Sequence, residues 1–161
     1  MKFKITFLAL ILLSISHAQA QTTDYKTYYG RITKIVDGDT LHASVKIWPE
    51  INGAFKIRVR DINTPEMHFN SKCRITKTWA RAAKRRVEAL FPMGTRVKLE
   101  NIKKDGFGRY LAHVSKFDNG NWLSLSETLL NENLAIPFVR NMDEQAWCDE
   151  AKKLFPSIDP Q

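Results

Sequence analysis

Arg58-Val-Arg-Asp-Ile-Asn-Thr-Pro-Glu66 is the stretch on which the reading of this chain turns. Ile57, Val59 and Ile62 give it the alternation of a half-buried strand, with Arg58 and Arg60 facing the other way. Pro65 has no amide hydrogen to donate and stops the ladder. A strand thus runs into a loop that carries two guanidinium forks, an amide, a hydroxyl and, at Glu66, a carboxylate. Guanidinium suits phosphate oxygens, and clustered oxygens suit a hard metal ion. Upstream, Val36-Asp-Gly-Asp-Thr40 adds two acids in a tight turn, where Asp and Gly also serve simply to form the turn.

Working outward, Tyr28 to Val36 and Leu41 to Ile47 alternate on either side of Asp37-Gly38-Asp39 and read as a hairpin. Pro49 to Gly53 is a second turn, and Ala54 to Ile62 completes a three-stranded meander. The period then changes. Ile75, Trp79, Ala83, Val87 and Leu90 recur at helical spacing, which predicts a helix over Thr76 to Phe91 that Pro92 and Gly94 terminate. Its Lys77, Arg81, Lys84 and Arg85 form a basic outer side, most simply a solvated face. Thr95 to Ile102 and Leu111 to Phe117 make another hairpin across a turn holding Asp105, Gly106, Gly108 and Arg109. Leu123, Leu125, Leu129 and Leu130 suggest a short helix capped by Ser124 or Ser126, and Met142 to Phe155 a third. Five strands with a helix between the third and fourth indicate an α+β chain: a five-stranded OB-fold β-barrel of Greek-key type with about three α-helices.

The first twenty residues stand apart. Lys2 and Lys4, the apolar run Ile5 to Ile15 and the small residues of Ala18-Gln19-Ala20 have the form of a signal peptide cleaved after Ala20, with an uncleaved anchor as the alternative. Residues 21–161 then make one domain, secreted or periplasmic, of a length that supports a single core. The full chain carries +8, and loss of Lys2 and Lys4 leaves +6, a balance that draws polyanions such as nucleic acid. Cys73 and Cys148 are the only cysteines. In an oxidising compartment they are expected to form one disulfide, against the alternative of two free or intermolecular thiols. His42, His68 and His113 are scattered, so no zinc spacing exists.

Three blocks, Val36–Thr40, Arg58–Glu66 and Asp105-Gly106-Phe107-Gly108-Arg109, resemble the signature blocks of the staphylococcal nuclease (thermonuclease) family, in the same order over about Tyr28 to Ala135. The resemblance implies a calcium-dependent, sugar-nonspecific nuclease that cuts DNA and RNA to 3′-phosphate products. It puts Glu66 at the general base and Arg58 and Arg109 on the reacting phosphate. It makes Asp39 and the Thr64 carbonyl calcium ligands, with Asp37 just behind them. Asn63 stands where the family has a second ligating Asp, so the site loses one negative charge while keeping an oxygen donor. Gly106-Phe107 stands where the best-known member has Lys-Tyr, and Phe107 offers a ring for base stacking. Asp61 would share the face of Asn63 if the strand continued; Phe138 is read first as core, and His68 as a loop histidine. A monomer acting on nucleic acid is expected, without membrane association after cleavage. The competing class is an OB-fold nucleic-acid binder that has lost catalysis, for which Asn63 is the argument.

Overall fold

The computed structural model describes residues 27–67 and 73–156, so the expected signal segment and His68 lie outside the described residues. The strands are β1 (Tyr28–Ile35), β2 (Thr40–Trp48), β3 (Ile51–Val59), β4 (Ile62–Asn63), β5 (Arg96–Lys104), β6 (Tyr110–Asp118), β7 (Asn121–Ser124) and β8 (Ile136–Pro137). The helices are α1 (Arg74–Leu90), α2 (Leu125–Asn131) and α3 (Glu144–Leu154). The main sheet runs β3-β2-β1-β5-β6-β7, and a parallel pairing of β3 with β6 closes its first five strands into a barrel. This is the expected α+β OB-fold, a closed mixed barrel with three helices.

Alternation builds the barrel. Leu41, Ala43 and Val45 of β2, Ile57 and Val59 of β3, and Val97 and Leu99 of β5 point inward and are almost fully buried. Val87 and Phe91, at the end of α1, and Leu125 and Leu129 of α2 close the same core. Each fully buried side chain of this size contributes about 1.5–3 kcal/mol. A second, smaller core lies between α1 and α3, where Trp79 meets Trp147 edge to face at 5.3 Å and Ile136 packs against both helices' cluster. Cys73 and Cys148 are both buried in it, with no disulfide between them. Ser124, rather than Ser126, caps α2 by accepting from Glu127 N, and Asp143 caps α3 through Ala146 N at 2.8 Å.

Three expectations need correction. The third strand does not run on to Ile62: it ends at Val59, and the chain turns through Arg60 and Asp61, the latter at φ 64. Ile62 and Asn63 then form a separate two-residue ladder with Pro137 and Ile136. Asp61 therefore leaves the face of Asn63 and pairs instead with His113 at 2.7 Å. The Pro49–Gly53 turn is shorter than expected, because Ile51 already pairs with Trp48. Phe138 is no core residue; it is 57% exposed, although its amide donates to the Asp61 carbonyl at 2.9 Å.

Candidate active site

The β3–Asp61 turn is what assembles the site. By ending β3 early it folds Asn63 and Thr64 back over the start of β2, where Asp39 sits 4% exposed. Both Asp39 oxygens are engaged there. Oδ2 accepts from Thr64 N at 2.6 Å and from Thr64 Oγ1 at 2.9 Å; Oδ1 accepts from Thr40 Oγ1 at 3.1 Å and is paired with Arg58 Nη1 at 2.6 Å. Asp39 thus pins the loop after β4 to the start of the hairpin strand. Removing one partner from so buried a pair costs about 3–5 kcal/mol, since the other charge stays behind unpaired.

Gly38 permits that approach. A Cβ at this position would lie 2.7 Å from Thr64 Cγ2 and 2.8 Å from the Ala83 Cβ of α1. The glycine answers a shortage of space between the bend, the loop and the helix, whereas the sequence suggested only turn geometry. Asp37, on the other side of it, accepts from Asp39 N at 3.1 Å and holds the bend.

Arg58 spans the cluster. Opposite Thr40 in the β2–β3 register, it reaches Asp39 with Nη1 and the Asn63 Oδ1 with Nη2 at 2.7 Å. The guanidinium side chain is only 11% exposed. Asn63 completes the brace by donating from Nδ2 to the Val139 carbonyl at 2.6 Å.

Glu66 lies at the exposed edge of this group, one residue past the buried Pro65. Its charge is felt by Asp37, whose carboxyl is pushed up to about 7, first by burial, then by Asp39, with Glu66 adding to the effect. Asp37, Asp39 and Glu66 therefore share one electrostatic neighbourhood with Arg58. Among the described residues no three Asp, Glu, His or Cys side chains converge as a ready metal cluster. The donor types, the Asp39 carboxylate, the Asn63 amide oxygen and the Thr64 carbonyl, are those a hard divalent cation takes, and Arg58, Thr40 and Thr64 engage the side-chain oxygens among them.

Arg109 is placed nearby but held differently. It precedes Tyr110, which pairs with Ile57 in the parallel β3–β6 ladder, so it enters the sheet on the strand next to Arg58. Its Nε donates to Asp105 Oδ2 at 2.8 Å, while Asp105 Oδ1 accepts from the amides of Phe107 and Arg109. Burial pushes the Asp105 carboxyl up, but the Arg109 side chain and these amides pull it below its ordinary range overall. Phe107 is 85% exposed, with the Arg109 guanidinium 5.5 Å above its ring. The structure thus gathers Asp37, Asp39, Arg58, Asn63, Thr64 and Glu66, and leaves Arg109 and Phe107 on an adjoining hairpin.

Two contributors were missed from sequence. Asp105, as the holder of Arg109, was visible only as a turn residue, though an Asp four residues before an Arg across two glycines carries the signal of a loop brace. Val139 acts through a main-chain oxygen, which no side-chain pattern can announce.

The chain is similar, with 29% identity over 137 residues, to an uncharacterized protein of Methanocaldococcus jannaschii; the match covers 74% of this chain and 63% of that relative's length. Residues 56–155 match the family described as staphylococcal nuclease homologue, a span that takes in Arg58, Asn63, Thr64, Glu66 and Arg109 and begins after the Asp37–Thr40 bend. With most of the barrel's second half, all three helices and the Arg58–Glu66 segment inside that match, the chain belongs to the staphylococcal nuclease homologue family.

Proposed function

We propose that this protein is an exported, calcium-dependent nuclease that hydrolyses phosphodiester bonds in DNA and RNA without regard to sugar, leaving 3′-phosphates. The observation that carries the proposal is the buried fork of Arg58, braced by Asp39 and Asn63, beside the exposed carboxylate of Glu66. A phosphodiester is anionic and repels an attacking water, so a catalyst must neutralise its oxygens while activating that water. Arg58 on β3 and Arg109 in the turn that leads into the neighbouring β6 hold separate non-bridging oxygens, which guanidinium does better than ammonium. Glu66 takes the proton from the water, and the 5′ oxygen leaves. Asp39, Asn63 and Thr64 would hold calcium, with Asp37 behind them; bound there, the ion supplies positive charge against the phosphate. Phe107 offers a base an exposed ring. Export follows from residues 1–20, and in an oxidising compartment Cys73 and Cys148 join.

The test is Glu66→Gln. Cleavage of plasmid and of RNA in calcium should fall by roughly 10²–10⁴-fold, with oligonucleotide binding in chelator retained. Full turnover by the variant would remove Glu66 from the chemistry. The second reading, a non-hydrolytic OB-fold binder, is favoured by one feature: the Asn63 oxygen and both Asp39 oxygens are already engaged within the protein. Binding of nucleic acid by the wild type with no cleavage in calcium would decide for it.

A further inference from the structure

The outer side of the barrel carries a second charged surface, which runs up to Arg58 of the site above. Because Leu41, Ala43 and Val45 of β2 face the core, His42, Ser44 and Lys46 face outward. The same alternation turns Arg58, Lys56 and Asn52 of β3 outward, opposite Thr40, His42 and Lys46 in register. On β1 the register slips between Ile32 and Lys34, so Arg31 and Lys34, three residues apart, both come to the outer side, opposite Ser44 and His42. A β-bulge that re-aims a side chain in this way is a feature of the strand and not a defect. β5 extends the surface with Arg96 beside Arg31 and Lys98 beside Tyr29.

At the end of this face remote from Asp39 lies a groove of about 370 Å³ walled by Tyr29, Arg31, Ser44, Lys46, Asn52 and Arg96. Three cations line it, with no carboxylate among the described residues that form it. Arg31 and Arg96 are direct cross-strand partners, an arrangement of like charges that weakens a sheet. Arg31 Nη1 donates to the Gly94 carbonyl, which leaves its charge uncompensated. The Arg96 guanidinium lies 5.3 Å from the centre of the Tyr29 ring, itself 43% exposed. Farther along, Lys98 sits 4.3 Å over the Trp122 ring, which meets Phe117 edge to face; both rings are largely exposed. Besides Arg58, which is paired with Asp39, Lys98 is the cation on this face with an acid partner among the described residues, its Nζ lying 2.8 Å from Glu100.

From these observations we infer that the outer face of β1, β2, β3 and β5 is a binding track for a single-stranded polynucleotide, leading from the Arg31–Lys46–Arg96 groove to Arg58. From Thr40 to Ser44 and Lys46 is roughly 13–20 Å along β2 at about 3.3 Å per residue, a reach of several nucleotides. Cations spaced along it neutralise successive phosphates, and Tyr29 gives an unstacked base a surface that does not depend on sequence. A duplex hides its base faces, so the single strand is the better ligand. The endpoint at Arg58 rests on the proposed nuclease reading; the track itself is a binding surface and stands apart from cleavage.

The test uses the full mature protein in chelator, where no cutting occurs, and follows fluorescence anisotropy of a labelled single-stranded 20-mer and 4-mer. Joint replacement Arg31→Gln, Lys46→Gln and Arg96→Gln should weaken 20-mer binding by about 10–100-fold at low salt and flatten the salt dependence by about 2 in log–log slope, with little effect on the 4-mer. A matched control, Lys77→Gln, Arg81→Gln and Lys84→Gln on α1, removes the same net charge and should leave 20-mer binding near wild type. Equal losses in both triple variants would mean that overall charge attracts the strand, and the track would be wrong. Unchanged binding in the groove variant, or duplex binding tighter than single-strand binding, would also overturn it. The unfolding midpoint of each variant separates lost folding from lost binding. A protein that cuts nothing in calcium but loses 20-mer affinity in the groove variant keeps the track and discards the nuclease.

Discussion

Asn63 Nδ2 lies 2.6 Å from the main-chain oxygen of Val139, tying the end of β4 to the second residue beyond β8. An aspartate at this position can accept from Arg58, but it turns a donor facing Val139 into a second acceptor. Asn63→Asp is therefore expected to lower unfolding free energy in chelator by about 1–3 kcal/mol, the scale of one unsatisfied buried polar group. Its added charge should at the same time lower the calcium concentration needed for half-maximal cleavage, so calcium restores part of the loss. Denaturation with and without calcium measures both. Unchanged stability in chelator would mean that the Val139 contact contributes nothing.

Asp37 gives the metal-free protein a defined pH response. Its carboxyl is raised from 3.8 to about 7, chiefly by burial and then by Asp39. Between those values the folded protein retains a proton that the unfolded chain has released. Its contribution is thus fully present at low pH, lost as pH rises through that window, and constant above about 7. Urea titrations in chelator should show this decline, and Asp37→Asn should flatten it. A wild-type stability that rises between pH 4 and 7, with the variant parallel to it, would contradict the assignment.

Asp105 is a positioning residue for Arg109, through one side-chain bond and two amides of the same turn. Asp105→Ala should reduce kcat by about 10²-fold with a smaller change in KM, because misplacing a group aimed at the transition state by an ångström has that effect. Asp105→Asn keeps an acceptor for the amides and should fall between the two. If the role were only to stabilise the hairpin, the unfolding midpoint would drop and kcat of the folded enzyme would not.

The barrel was legible because its strands alternate cleanly: Leu41, Ala43 and Val45, or Val97 and Leu99, can face only one way. Helix α1 was equally clear from Trp79, Ala83 and Val87. The short ladders β4 and β8 were not, since two residues have no period and are held by tertiary pairing. The same limit explains the misplaced end of β3. Asp61 reads as a strand residue until its positive φ and its bond to His113 are known. At the site, residue types identified Asp39, Arg58 and Glu66, but the bonds among them depend on a turn between β3 and β4 and on the absence of a Cβ at Gly38. Thr64 was read for its hydroxyl and carbonyl as spare oxygens, whereas its amide and hydroxyl both donate to Asp39.

Cys73 and Cys148 share the small core beneath α1 and α3, and the Cys148 thiol is pushed up to about 11, first by burial and then by its hydrogen bond with Cys73. In the reduced protein it should resist alkylation at pH 8 and become reactive only as pH approaches 11. Closing the long loop between the two cysteines should raise unfolding free energy by about 4 kcal/mol, by restricting the unfolded chain. Intact mass before and after reduction shows whether the bond has formed, and denaturation under both conditions measures its effect. Cys148→Ser removes the difference between those conditions while retaining the barrel. Protein from an oxidising compartment that carries two alkylatable thiols after unfolding would rule the disulfide out.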